Sequence, residues 1–314
     1  MTLAMVFPGQ GSQASGMQAA LAAAFPEIRD TYAEASAELG FDLWELVQEG
    51  PLETLNATVV TQPAMLTAGV AAWRVWCRAG GDAPSFMAGH SLGEYTALTC
   101  AGAIAFAEAL ALVARRAELM QAAVPAGEGA MAAVLGLTDD AVTAACAEAA
   151  EGQVVSAVNF NSPGQVVIAG HRAAVERACA AAKAAGAKRA VLLSVSVPAH
   201  CELMRPAAEA FAEVLAQTPF RTPTIRIVNN VDVAVYERPE QIRESLARQL
   251  YSPVRWTETV RWLAQHGAGR IVEAGPGKVL TALARRIDGS LAAACIDSPA
   301  TLDELLASRP EDGD

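Results

Sequence analysis

Pro84-Ser85-Phe86-Met87-Ala88-Gly89-His90-Ser91-Leu92-Gly93-Glu94-Tyr95 runs from a short apolar stretch, through two glycines flanking a serine, into an Ala/Leu-rich helical pattern. Its centre, Gly89-His90-Ser91-Leu92-Gly93, has the G-x-S-x-G form of a nucleophile elbow, in which glycines permit a sharp strand-to-helix turn. Such a turn exposes the serine hydroxyl at a helix N-terminus. It also aims backbone N–H groups at the oxygen that gains charge when the hydroxyl attacks a carbonyl. A plainer reading makes the serine a helix cap in a Gly-rich turn. The buried-strand candidate before it and the unbroken run from Tyr95 to Ala101 after it favour the elbow.

Outward from the elbow the chain reads as α/β. A strand at Ala4 to Phe7 leads through Pro8-Gly9-Gln10-Gly11-Ser12-Gln13 into helical stretches, through Ala23 and from Pro26 to Leu39. Further helices are predicted over Thr61 to Arg78 and Phe106 to Ala123. From Gly129 to Val195 the pattern changes to strand (Ala130 to Leu135), helix (Thr138 to Ala150), strand (Val154 to Asn159), strand (Gln165 to Ala169), helix (His171 to Ala185) and strand (Arg189 to Val195). That is the βαββαβ order of a ferredoxin-like unit, with Phe160-Asn161-Ser162-Pro163-Gly164 as the hairpin turn. After Pro198 come a helix (Cys201 to Gln217), a strand (Ile225 to Asn229), another helix, and Arg270 to Glu273 as the last strand. The expected organisation is a large domain of residues 1–127 and 198–307, an inserted small domain of residues 128–197, and a flexible tail of residues 308–314.

With 314 residues the chain is long enough to bury its own core. A net charge of −11 argues against broad nucleic-acid or anionic-membrane binding. Every long Ala/Leu segment is interrupted by charge within a membrane-spanning length. The opening Met1-Thr2-Leu3-Ala4-Met5-Val6-Phe7-Pro8 has no basic leader and too short an apolar run for a secretory signal, so a cytoplasmic location is expected; a monomer is the default expectation. The six cysteines are scattered and form no CxxC pair, and no metal-ligand spacing links them to the four histidines, so neither metal nor cofactor is expected. Cys201, beside His200, is a weak nucleophile candidate because adjacent side chains usually diverge.

A serine at its own pKa needs a base. His200 is the best placed, in Val195-Ser196-Val197-Pro198-Ala199-His200, where a proline turn can hold it over a cleft; His90 flanks the serine, and His171 and His266 fall at helix ends. Gly9-Gln10-Gly11-Ser12-Gln13-Ala14 matches a dinucleotide fingerprint in form, with Asp30 near the spacing of a ribose-binding acid. Pro8, Gln10 and Gln13 suit a loop that offers N–H groups to an oxyanion better. Gly275-Pro276-Gly277-Lys278 has Val272 and Val279 where a phosphate loop needs Gly and Ser/Thr. Arg115 and Arg116 lie in an apolar helix, either snorkelling to solvent or presenting one guanidinium to a carboxylate.

Together, Phe7 to Gln13, Gly89 to Tyr95, Asn159 to Gln165, Val197 to His200 and Gln249-Leu250-Tyr251 closely resemble the bacterial malonyl-CoA:acyl-carrier-protein transacylase family, over nearly the whole chain. The resemblance implies an α/β-hydrolase-like large domain with an inserted ferredoxin-like (βαββαβ) small domain. It implies Ser91 as acylated nucleophile and His200 as general base and acid. Gln10 and Leu92 would supply oxyanion-hole N–H groups, Arg116 would bind the malonyl carboxylate, and Gln249 would orient His200 through its carbonyl. Malonyl-CoA and an acyl carrier protein are the implied partners, with no acidic third triad member. Ala199 departs from the Ser or bulky aromatic common before the histidine, which leaves exclusion of methylmalonyl open, while Leu92 leans towards malonyl. A thioesterase would use the same serine and histidine, but no acid between them sits at a strand end suited to orient the base. A non-catalytic carrier-binding subunit would not need serine, histidine and arginine together. Lys183, Lys188, Arg189, Arg285 and Arg286 are the local cations on which an acidic carrier protein would dock, or else ordinary solvated helix ends.

Overall fold

A computed structural model describes residues 2–195 and 197–308; of the tail expected at residues 308–314, residues 309–314 lie outside the described residues. Nine strands are present among them: β1 (Thr2–Phe7), β2 (Phe86–Gly89), β3 (Gly129–Leu135), β4 (Val155–Ser162), β5 (Gln165–His171), β6 (Arg189–Leu192), β7 (Arg226–Val228), β8 (Ala268–Ala274) and β9 (Ala292–Ile296). They form two sheets. One is five-stranded and parallel, in the order β7-β2-β1-β8-β9; the other is four-stranded and antiparallel, in the order β4-β5-β3-β6.

The parallel sheet is apolar on both faces, as sheets covered by helices on both sides must be. Along β1, Leu3, Met5 and Phe7 enter one core while Ala4 and Val6 enter another on the opposite face. The helix Thr58–Arg78 lies almost wholly inside the first core. It begins one turn before the expected Thr61, with Pro63 inside it. In the antiparallel sheet, Ala130, Ala132 and Val134 of β3 pack under the helices Asp139–Ala149 and Arg172–Ala184. The alternate residues Met131 and Val167 face the other way, into a small cluster with Cys201. β4 is tied to the segment just ahead of the helix Trp256–Gln265 by main-chain bonds, Phe160 N–H to the Val254 carbonyl at 3.0 Å and Val254 N–H to the Val158 carbonyl at 2.8 Å.

Arg270 to Glu273 lies inside β8 and is not the last strand: β9 follows at the sheet edge, paired in parallel with β8. Ala292-Ala293-Ala294-Cys295-Ile296 is poor in β-formers, and only its tertiary partner makes it a strand. Similarly, β6 ends at Leu192 rather than Val195, although Leu193 N–H still reaches the Met131 carbonyl at 2.8 Å.

Candidate active site

Ser91 stands in the turn between β2 and the helix Gly93–Cys100, with φ 51°, a left-handed conformation that costs a non-glycine residue energy. The turn closes so tightly that a Cβ on Gly89 would lie 1.8 Å from the Gly93 carbonyl carbon, and one on Gly93 would lie 2.0 Å from the Phe7 oxygen. Both neighbours are backbone and cannot yield, which is why the elbow carries glycine at both ends. Asn230, just past β7, clamps it: its Oδ1 accepts from Ser91 N–H at 2.7 Å and its Nδ2 donates to the Gly89 carbonyl at 2.7 Å.

The Ser91 Oγ lies 2.8 Å from His200 Nε2, and His200 Nδ1 lies 2.8 Å from the main-chain oxygen of Gln249. A carbonyl can only accept, so Nδ1 carries the proton and Nε2 offers its lone pair to the serine hydroxyl. His200 is 3% exposed and itself has φ 67°. Burial, followed by the charge of Arg116, pushes its pKa down to about 3. The ring is therefore neutral, as a general base must be.

Arg116, from the helix Phe106–Ala122, is 1% exposed. Its guanidinium donates to Gln62 Oε1 at 2.9 Å, Gln249 Oε1 at 3.1 Å and Ser91 Oγ at 3.3 Å, while Nε has no partner among the described residues. Among the described residues it makes no ion pair. Arg115, one residue earlier, points out to Glu118 at 2.8 Å. A carboxyl is reached through Gln249, whose Nε2 donates to Glu94 Oε2 at 2.8 Å and to the Ser91 carbonyl at 3.1 Å. Two acceptors at one end of the Gln249 amide and a cation at the other settle which way it faces. Burial raises the Glu94 pKa to about 7 against the lowering pull of the Asn230 N–H, Gln249 and Arg116.

Gln10 and Leu92 line the same cavity as Ser91, His200 and Arg116, and neither main-chain N–H has an acceptor among the described residues. The cavity holds about 110 Å³, room for a short acyl group, and Met131, Val167 and Leu193 of the antiparallel sheet close its far side. A Cβ on Gly9 would meet the His90 oxygen at 2.4 Å, so the loop from Pro8 to Gln13 packs on the elbow.

Ser91, His200, Arg116 and Gln249 thus converge, with Gln10 and Leu92 beside them. Cys201 does not join them: its buried thiol is pushed up to about 11 by burial and lies 3.1 Å from the Pro198 carbonyl. His90 turns to Asn161 Oδ1 at 2.8 Å, His171 accepts from Val154 N–H at 3.0 Å, and His266 stacks on Trp262. Among the described residues no group of three or more His, Cys, Asp or Glu is placed to hold a metal ion. Sequence reasoning missed Asn230, Gln62 and Glu94. Glu94 did leave a signal, a lone carboxyl in an apolar helix, whereas Asn230 and Gln62 act only through tertiary contacts.

Residues 4–293 match the family described as acyl transferase domain. The chain is similar to the malonyl CoA-acyl carrier protein transacylase of Escherichia coli (strain K12), 59% identical over 96% of this chain and 98% of that one. Among solved structures it resembles a malonyl-transacylase in complex with its type II PKS acyl-carrier protein, with a TM-score of 0.97 and 58% identity, covering 98% of this chain and 100% of that one. It also resembles an acyl carrier protein S-malonyltransferase from Vibrio cholerae, with a TM-score of 0.95 and 56% identity, covering 97% and 100% of the two chains.

Proposed function

The chain belongs to the acyl transferase domain family, and from that membership we propose that it carries the malonyl group of malonyl-CoA to the phosphopantetheine thiol of an acyl carrier protein, supplying extender units for fatty acid or polyketide synthesis. One observation carries the choice of acyl group: a buried arginine without a carboxylate of its own stands 3.3 Å from the serine hydroxyl. Ser91 Oγ attacks the thioester carbonyl while His200 Nε2 takes its proton. The N–H groups of Gln10 and Leu92 hold the oxyanion, and Arg116 holds the malonyl carboxylate. The proton returns from His200 to the leaving CoA thiol, leaving a malonyl-serine ester. The carrier's thiol, deprotonated by the same imidazole, then attacks that ester, and His200 restores the proton to Ser91. The Gln249 carbonyl steadies the imidazolium in both halves, so no acidic triad member is needed.

The reading carries an architecture with it: an α/β-hydrolase-like large domain (1–127 and 198–307) and a ferredoxin-like insert (128–197). The insert is supported by the all-antiparallel order β4-β5-β3-β6, which places the first and third strands of βαββαβ side by side at the centre. It also implies a monomer acting in the cytoplasm without metal or other cofactor, checked by light scattering and by the activity of chelator-treated protein.

The deciding experiment is intact-mass analysis of the wild type and Ser91→Ala after malonyl-CoA, acetyl-CoA or methylmalonyl-CoA, followed by holo carrier protein. A malonyl adduct on wild type alone, discharged onto the carrier, is expected. No adduct, or loss only to water, would overturn the reading.

A further inference from the structure

Glu94 lies in the first turn of the helix that follows the elbow, is buried, and takes no part in the acyl-transfer steps. Its Oε2 accepts from the Asn230 N–H at 3.0 Å and from Gln249 Nε2 at 2.8 Å. The other end of the same amide, Gln249 Oε1, accepts from Arg116 at 3.1 Å. A buried carboxyl and a buried guanidinium thus face each other across one side-chain amide, where little water screens their attraction. No carboxylate touches Arg116 among the described residues. Other charges around Glu94 are occupied or distant. β1 and β2, which pack on its helix, carry no charged residue. Arg74 and Arg78 of the helix Thr58–Arg78 pair with Glu34 and Glu27, and Arg115 of the helix Phe106–Ala122 pairs with Glu118. Asp232 is paired with Arg248, and burial keeps the Tyr95 hydroxyl protonated.

We propose that Glu94 is the exchangeable counter-charge of Arg116: ionised while the acyl pocket is empty, it takes a proton from solvent as the carboxylate of a malonyl group settles on the guanidinium. The incoming carboxylate cancels the pull of Arg116 on Glu94 and adds a like charge nearby, and both effects favour the neutral acid. Burial, which raises the Glu94 pKa to about 7, already leaves the two forms close in energy near neutral pH. The proton balance is explicit. The serine proton still passes through His200 to the CoA thiol, so acylation by malonyl-CoA takes up one proton from the medium that acylation by acetyl-CoA does not. Glu94 touches no substrate and acts through Gln249, as a positioning residue that sets acyl preference. The inference rests on the transacylase reading and deepens it, because the hold of Arg116 on a carboxylate becomes dependent on pH. Above about pH 7 the acyl carboxylate competes with a resident charge; below it Arg116 stands unbalanced and malonyl is favoured further. His200, with its pKa near 3, does not titrate in that range.

Single-turnover acylation of Ser91 by malonyl-CoA and by acetyl-CoA, followed by intact mass between about pH 6 and about pH 8, tests it. The ratio of the two rates cancels the titration of the CoA phosphates, which both donors share. For wild type the malonyl-to-acetyl ratio is expected to rise about three- to tenfold from about pH 8 to about pH 6. Glu94→Gln keeps an oxygen for the Asn230 and Gln249 donors but carries no charge, and its ratio should stay flat at the low-pH wild-type level. In weak buffer at about pH 8, an indicator dye should register up to about one more proton taken up per Ser91 with malonyl-CoA than with acetyl-CoA in wild type, and no difference in Glu94→Gln. The inference is overturned if the wild-type ratio is flat, if the two donors take up equal numbers of protons, or if Glu94→Gln keeps the wild-type slope. Both wild-type measurements need no variant, so they decide the matter even where Glu94→Gln does not fold. Failure of the transacylase reading looks different: wild type would form no Ser91 adduct with either donor at any pH.

Discussion

Arg116 is a buried cation that lacks a carboxylate. Among the described residues its hydrogen-bond partners are two glutamine oxygens and a serine hydroxyl, all neutral, its Nε has none, and the Tyr95 ring lies 5.3 Å from its guanidinium carbon. Burying a charge without an opposite charge is costly, and an acyl group that brings its own carboxylate relieves that cost. Losing such a partner is worth ~2–5 kcal/mol, against ~1–3 kcal/mol for a methylene of pocket fit. Arg116→Ala should therefore reduce malonyl relative to acetyl transfer onto Ser91 by about thirtyfold or more in single-turnover mass spectrometry. An unchanged ratio would sink the assignment. At His200 the prediction concerns protons. Its native pKa, near 3, lies below the unfolded value of about 6.5, so between those values the unfolded chain binds more protons. This residue's contribution to stability is thus full above about pH 6.5 and declines as pH falls. Nitrogen NMR of labelled histidine should show His200 as the neutral Nδ1–H tautomer down to pH 5. An imidazolium signal appearing near pH 6.5 would contradict the buried, Arg116-facing environment.

The elbow is an arrangement of elements rather than a property of the pentapeptide. Gly89 and Gly93 let β2 turn into its helix, and the strain at Ser91 is held by Asn230, which arrives from the end of the neighbouring strand β7. The strand, turn and helix were legible because period, glycine spacing and the absence of a breaker all agree over a dozen residues. Asn230 was not, because its part follows from β7 lying against β2, a pairing between segments far apart in the chain. The same holds for β9, a run of alanines given its conformation by β8. Asn230→Asp keeps an acceptor for the Ser91 N–H but sets a carboxylate oxygen against the Gly89 carbonyl. Acylation by malonyl-CoA and acetyl-CoA should fall together, by about tenfold or more, since the lost group positions the nucleophile and not the acyl carboxylate. A selective loss of malonyl would show that the clamp acts on Arg116 instead.

Across the molecule, the site is where two sheets meet. Ser91 comes from the strand ends of the parallel sheet, while Met131, Val167 and Leu193 come from the open face of the antiparallel one. The existence of the second sheet was readable in the change of pattern after Gly129. Which of its faces meets the cavity was not, since Met131 and Val167 are as apolar as Ala132 and Val166 on the other side. Arg116 gathers this assembly, bonding to Gln62 from one helix, Gln249 from the end of another and Ser91 from the elbow, so its unmet charge bears on elements far apart in the chain. A carboxylate delivered to Arg116 should then stabilise the fold globally. At about 2 °C per kcal/mol for a chain of this size, a gain of about 2–3 kcal/mol raises Tm by about 4–6 °C. Calorimetry of the isolated malonyl-enzyme should show that rise over the acetyl-enzyme, and Arg116→Ala should abolish the difference. Equal melting temperatures for the two acyl-enzymes would mean that the malonyl carboxylate finds its partner elsewhere.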